Sequence, residues 1–140
     1  MASKASYSSE RERVMTAQRF EDLTIWKSSM SLTKTIYDFT RKPEFARDFG
    51  LSNQIQRSIV SVSSNIVEGF EKNNINEFAR YLKIAKGSVG EARSQLYTAH
   101  VVGYITNQEL SQANMQLEQL GHQIGAFISY LRKVQQNRKR

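Results

Sequence analysis

The last third of the chain carries Leu110, Ala113, Leu117, Leu120, Ile124, Phe127, Leu131 and Val134 at alternating steps of three and four. Such steps track the 3.6-residue turn of an α-helix and form a near-perfect heptad seam, which has to be covered by other helices. The same period recurs three times upstream. Phe20 to about Thr40 places Leu23, Trp26, Met30, Thr33 and Tyr37 on one stripe, with Ile25, Leu32, Ile36 and Phe39 beside it. Leu51 to Phe70 repeats Leu51, Ile55, Ile59, Val62, Ile66 and Phe70, and Asn76 to about Val102 repeats Phe78, Leu82, Ala85, Val89, Ala92, Leu96 and Ala99. One proline, Pro43, and seven glycines leave too few turns for a sandwich or barrel. The expectation is all-α: an antiparallel up-down-up-down four-helix bundle roughly 30 to 40 Å long at 1.5 Å per residue.

Punctuation between the periodic segments agrees with that plan. Pro43 and Gly50 bracket the first connection, whose Phe45 and Phe49 are expected to tuck back onto the bundle. The second helix is expected to end at Gly69 or shortly after, leaving Lys72, Asn73 and Asn74 in a loop. Asn74 or Asn76 is placed to cap the third helix, and Thr106 or Asn107 the fourth, after the break at Gly103. With 140 residues there is room for one core. The organisation predicted is a polar leader over 1–19, the bundle over 20–134 and a basic tail over 135–140. The absence of cysteine excludes a disulfide framework and a thiolate metal site. No apolar run approaches the roughly 18 residues of a membrane span, and MASKASYSSE lacks the hydrophobic stretch of a signal peptide, so the expectation is a cytoplasmic protein with no membrane role.

Leu51 to Phe70 carries a second stripe, Gln54, Ser58, Ser61 and Asn65, where a solvated helix usually has Lys and Glu. Small and amide side chains let another helix approach and offer it hydrogen bonds. That stripe either meets a neighbouring helix or buries a hydrogen-bonded seam. The third helix is polarised sideways: with Ala85 and Val89 inward, a 100° wheel sets Lys72, Lys83, Lys86 and Arg93 on one flank and Glu77 and Glu91 on the other. Complementary flanks suit a ring packed head to tail, which needs two different matching patches; solvated flanks of a monomer are the plainer alternative. Gly87 and Gly90 lie inside this helix, where each costs about 1 kcal/mol relative to alanine. Close approach of another backbone, with Ser88 bonding across it, would compensate; tolerance by a helix held through tertiary packing is the other reading.

Net charge is +7, but residues 1–19 contribute +2 and Arg138, Lys139 and Arg140 contribute +3, so the folded body is only mildly basic. Such ends serve either as solubilising tails or as phosphate contacts. Lys72, Lys83, Lys86, Arg93, Arg138, Lys139 and Arg140 are the candidate nucleic-acid contacts. Gln54, Ser58, Ser61, Asn65, Glu77, Gly87, Gly90 and Glu91 are the candidate oligomer interface.

Enzymatic chemistry has little to stand on. His100 and His122 lie on different helices with no nucleophile or carboxylate at a recognisable spacing. The Glu-x-x-His of diiron bundles is absent: Glu91 is followed three residues on by Ser94, and Glu118 by Gly121. Glu68 and Glu71 sit near a helix end, where capping is their expected role, and KGSVGE lies in a helical run without the Gly-Lys-Ser/Thr ending of a phosphate loop. A non-enzymatic protein without cofactor or metal is expected. Tyr81, Tyr97 and Tyr104 are expected to pack at bundle edges rather than stack on bases.

FEDLTIWKSSMSLTKTIY, LSNQIQRSIVSVSSNIVEGF and NEFARYLKIAKGSVGEARSQL, in this order, resemble the small bacterial four-helix-bundle proteins encoded within 23S rRNA intervening sequences. The likeness spans about residues 20–134. The family's second helix ends in Ser-x-Pro-Ser-Asn-Ile-x-Glu-Gly; Ser61, Ser64, Asn65, Ile66, Glu68 and Gly69 occupy those places, with Ser63 at the proline. Losing that proline removes the reason for a kink in mid-helix. The resemblance implies no catalytic activity. It extends to accessory proteins of diversity-generating retroelements, basic pentameric barrels associated with a reverse transcriptase, and so implies a homopentamer. Two functions are expected from these readings: charge-driven binding of RNA or DNA with little sequence specificity, or a protein-interaction scaffold such as a reverse-transcriptase accessory subunit.

Overall fold

The computed structural model describes residues 17–138, which are helical almost throughout and contain no strand. A 3-10 turn at Phe20–Asp22 leads into α1 (Thr24–Thr40), followed by the short α2 (Pro43–Arg47), α3 (Phe49–Glu71), α4 (Ile75–Val101) and α5 (Asn107–Arg138). The four long helices are those the periodicity predicts. The connection after α1 is itself a helical turn, opened by Pro43 at its first position, where a missing N–H costs nothing.

The boundaries have local causes. Asp48 caps α3 by accepting from the Leu51 N–H at 3.1 Å, and Asn74 caps α4 by accepting from the Glu77 N–H at 3.0 Å. Thr106 and Glu109 form a reciprocal capping box: the Glu109 N–H donates to the Thr106 hydroxyl at 3.1 Å, and the Thr106 N–H to the Glu109 carboxylate at 2.8 Å. Glu109 also binds the Lys42 ammonium, from 67 residues earlier in the chain. Burial raises its pKa, but the Lys42 and Thr106 bonds outweigh that and hold the carboxyl below its ordinary range. Asn73 takes the left-handed conformation after α3 (φ 51°) and Gly103 after α4 (φ +86°), each just past the end of its helix.

Two expectations about ends change. Helix α5 continues to Arg138, so residues 135–138 of the expected tail are helical, while Lys139 and Arg140 lie outside the described residues. Phe45 is fully buried and stacks on Tyr104 at 5.2 Å, but Phe49 is 73% exposed. The two phenylalanines therefore part: Phe45 joins the core, while Phe49, the first residue of α3, stays largely in solvent.

Helix α1 packs on α3 and α5, α3 on α4, and α4 on α5, leaving α1 and α4 across the core from each other. Ile25, Leu32 and Ile36 of α1 meet Ile55, Ile59, Val62 and Ile66 of α3, the Leu82–Leu96 stripe of α4 and Leu117, Leu120 and Ile124 of α5, all in one buried cluster. Each such side chain contributes roughly 1.5–3 kcal/mol on burial. On α1 the Ile25 stripe is the buried one. The neighbouring stripe is marginal: Trp26 and Tyr37 are half-buried and Met30 is 42% exposed.

Candidate nucleic-acid interface

Helix α4 is flanked by α3 on one side and α5 on the other, and its two flanks are built differently. On the α3 side the fit is close, and small side chains make it. The Ser61 and Ser88 hydroxyls share a hydrogen bond of 2.9 Å, and the Asn65 amide donates back to the Ser61 carbonyl and hydroxyl at 2.8 and 3.0 Å. Further along, Gly69 is buried where α3 meets the start of α4. A Cβ there would lie 2.8 Å from the Tyr81 Cβ and 3.3 Å from the Phe78 Cα, so the position has no room for a side chain. Ser58 is buried and Gln54 is exposed. Of the two fates open to the polar stripe, Ser61 and Asn65 take the hydrogen-bonded seam inside the subunit.

On the α5 side the flank is basic. Arg93 is held: its Nε donates to Asn114 Oδ1 at 2.8 Å, and its terminal nitrogen meets Glu118 at 2.6 Å. Asn114 in turn donates to the Tyr97 hydroxyl at 3.2 Å. Two to three helical turns earlier, Lys86 and Lys83 are exposed along a groove of about 420 Å³ whose other wall is Gly125, Ser129 and Arg132 of α5. Lys86 reaches over Gly125: its Nζ and Cε lie 3.4 and 3.6 Å from where a Cβ would stand. Lys72 is not on this helix. It caps the C-terminus of α3, with its ammonium 5.8 Å from the Tyr81 ring, which the Arg80 guanidinium also covers at 4.5 Å. Arg138 is exposed at the end of α5. The structure therefore gathers Lys83 and Lys86, commits Arg93 to an acid, and sets Lys72 and Arg138 apart from them.

The remaining interface candidates also separate. Glu77 pairs with Arg80 at 2.9 Å, three residues along its own helix, whereas Glu91 is exposed. Between them at seven-residue spacing stands Ile84, 43% exposed. Gly87 and Gly90 face outward, and a Cβ on either would meet nothing within 4 Å. Ser88 reaches Ser61 on another side of the helix, and among the described residues no backbone approaches the glycine pair. Arg132 was not among the sequence candidates. Its signal was the polar stripe Asn114, Glu118, Gly125, Ser129 and Arg132, which runs beside the apolar seam of α5 at helical spacing.

His100 is half-buried and His122 exposed. Among the described residues no three His, Asp or Glu side chains are placed to hold a metal ion, and no helix is long and apolar enough to cross a membrane. Tyr104 donates to the Asp48 carboxylate at 2.9 Å, a bond that raises the phenol's pKa.

The model of the 23S rRNA-intervening sequence protein family matches residues 21–126. The chain belongs to that family. A crystal structure from Bacteroides thetaiotaomicron, of a protein with unknown function from the S23 ribosomal protein family, shares the fold at a TM-score of 0.70. It is 22% identical, with 75% of this chain and 98% of that chain covered. No curated protein matches. Within the intervening-sequence family pattern, the serine at the proline position is accommodated without a break: the Ser63 hydroxyl donates to the Val60 carbonyl at 3.1 Å and α3 runs unbroken from Phe49 to Glu71. Ser61, Asn65 and Gly69 of the family motif all lie on the close α3–α4 seam.

Proposed function

We propose that this member of the intervening-sequence protein family is a non-enzymatic nucleic-acid-binding protein that contacts RNA or DNA through charge with little sequence readout. The observation that carries this reading is the uneven pairing along the α4–α5 face. Arg93 is neutralised by Glu118, while Lys83, Lys86 and Arg132 face an open groove with no carboxylate among its lining residues. Uncompensated exposed cations release counterions on meeting phosphates, and that release drives binding without regard to sequence.

The reading includes an up-down-up-down bundle that assembles into a ring, with a pentamer as the preferred size. The pairings Gly69 with Phe78 and Tyr81, then Ser61 with Ser88, run in opposite senses along α3 and α4, as that topology requires. Gly87 and Gly90 are uncovered within the subunit, and the exposed apolar residues Ile84, Met30 and Val60 favour burial against another copy. Five copies at +7 carry about +35, which strengthens weak contacts by multivalency.

Filter binding of a labelled single-stranded RNA and a DNA duplex across a salt series tests the function, and light scattering the assembly. Affinity that falls steeply with salt is expected; affinity indifferent to salt, or absent near physiological salt, overturns the reading. Val101, Val102 and Met115, all exposed, favour a second reading, a scaffold for a protein partner such as a reverse transcriptase. That reading gains if the ring forms and no nucleic acid binds.

A further inference from the structure

Three cations converge on one groove. Lys83 and Lys86 come from α4 and Arg132 from α5, around a floor that includes Gly87, Gly125 and Ser129. Among the described residues none of the three cations is engaged in a hydrogen bond or ion pair. Seven residues along α4 the same interhelical groove holds a completed cation site, Arg93 with Asn114 and Glu118. The two halves thus differ in one chemical respect: the anion that satisfies the first is supplied by the chain, and the second has none.

The glycines shape the half without a carboxylate. Gly125 stands where the Lys86 side chain crosses from α4 to α5, and its missing side chain leaves the ammonium room to lie 3.4 Å from the Cβ position. Gly87 leaves its side of the groove open, with nothing within 4 Å of an added Cβ. An arginine fork, two ammonium groups and the Ser129 hydroxyl, all exposed, present donors in number and type suited to the oxygens of a phosphodiester.

We propose that Lys83, Lys86 and Arg132 form a seat for the backbone phosphates of a nucleic-acid strand, with Gly125 keeping the groove open and Arg93 excluded from the contact by its pairing with Glu118. The seat rests on the nucleic-acid reading above and narrows it to one groove per subunit. It also removes Arg93 from the set of contacts expected from sequence and adds Arg132.

The test uses the full chain and fluorescence anisotropy with a labelled single-stranded RNA of about 20 nucleotides, longer than the roughly 4–16 nucleotides a strand-tracking site occupies. The variant Lys83→Ala/Lys86→Ala/Arg132→Ala is compared with Lys27→Ala/Arg47→Ala/Arg57→Ala, which removes the same charge from exposed positions elsewhere. A loss of about tenfold or more, and a salt slope shallower by about 2 for three lost contacts, is expected of the first variant only. Gly125→Leu fills the groove at unchanged charge, and is expected to weaken binding comparably while circular dichroism stays helical. Equal losses in the two triple variants overturn the seat and leave diffuse charge as the cause. Full binding by Gly125→Leu also overturns it. If the wild-type protein binds no RNA, or binds only vesicles containing phosphatidylserine, the underlying function fails along with the seat.

Discussion

The two flanks of α4 answer different demands with similar means. Toward α3, small residues bring helices together: Gly69 sits against Phe78 and Tyr81, and Ser61 against Ser88. Toward α5, small residues keep a space open: Gly125 and Gly87 border a groove edged by cations. A glycine in a helix costs the same conformational entropy in both places, so what it gains in return separates a packing role from a surface role. The family motif lies on the packing side, and the chemistry available for a ligand lies on the other.

The sharpest way to break this contrast is to give both kinds of glycine a side chain. Gly69→Val is expected to destabilise the fold by about 3 kcal/mol, through overpacking against a Cβ and a backbone atom that cannot swing away. Urea unfolding checks it, and a variant within 0.5 kcal/mol of wild type, on the order of a surface substitution, would sink the close-seam account. Gly87→Ala with Gly90→Ala is expected to do the opposite, stabilising a subunit by about 1 kcal/mol per site through helix propensity. Destabilisation seen only at concentrations where light scattering reports an oligomer would instead place a neighbouring backbone against the pair.

The serine contact gives a smaller effect and tests the seam's polarity. Ser61→Ala or Ser88→Ala alone is expected to cost about 1 kcal/mol, because the remaining hydroxyl is left half-satisfied, and the double variant less than the sum of the two. Strict additivity in the unfolding free energies would show that the two hydroxyls do not depend on one another. The smallest effect belongs to the charged flank. Arg93→Ala is expected to change stability by less than about 1 kcal/mol, since its ion pair with Glu118 is more than a third exposed. RNA affinity should move by less than about threefold in the same variant, far below the loss of one strong phosphate contact.

The four long helices and most of the buried positions were legible in the sequence because each repeats an apolar residue for every turn over many turns. On α1 two adjacent apolar stripes competed, and periodicity alone could not rank them; the placement of α3 and α5 buries Ile25, Leu32 and Ile36 and leaves Met30 outside. Gly69 was legible as a residue near a helix end, but its packing role depends on where Phe78 and Tyr81 of another helix come to rest. The basic flank was visible on a single-helix wheel, as Lys83, Lys86 and Arg93. A wheel cannot show that Glu118 reaches one of them and Arg132 joins the others, since those residues come from a helix more than twenty positions away. Lys72 lies off this flank because α3 ends at Glu71 and α4 begins only after Asn74, so no one wheel spans both.

Glu109 makes one carboxylate answerable for two restraints. The one carboxylate closes the first turn of α5 and holds Lys42 at the far end of α1, so its protonation releases a local and a distant restraint together. Its folded pKa is depressed, so the stabilisation is complete above the unfolded value of about 4.3 and is lost as pH falls through the folded one. Acid should therefore loosen the start of α5 near Thr106 and free Lys42 together. Amide hydrogen exchange compared at neutral and acidic pH would read this as protection lost first at Thr106 to Leu110, and Glu109→Gln would show the same early opening at neutral pH.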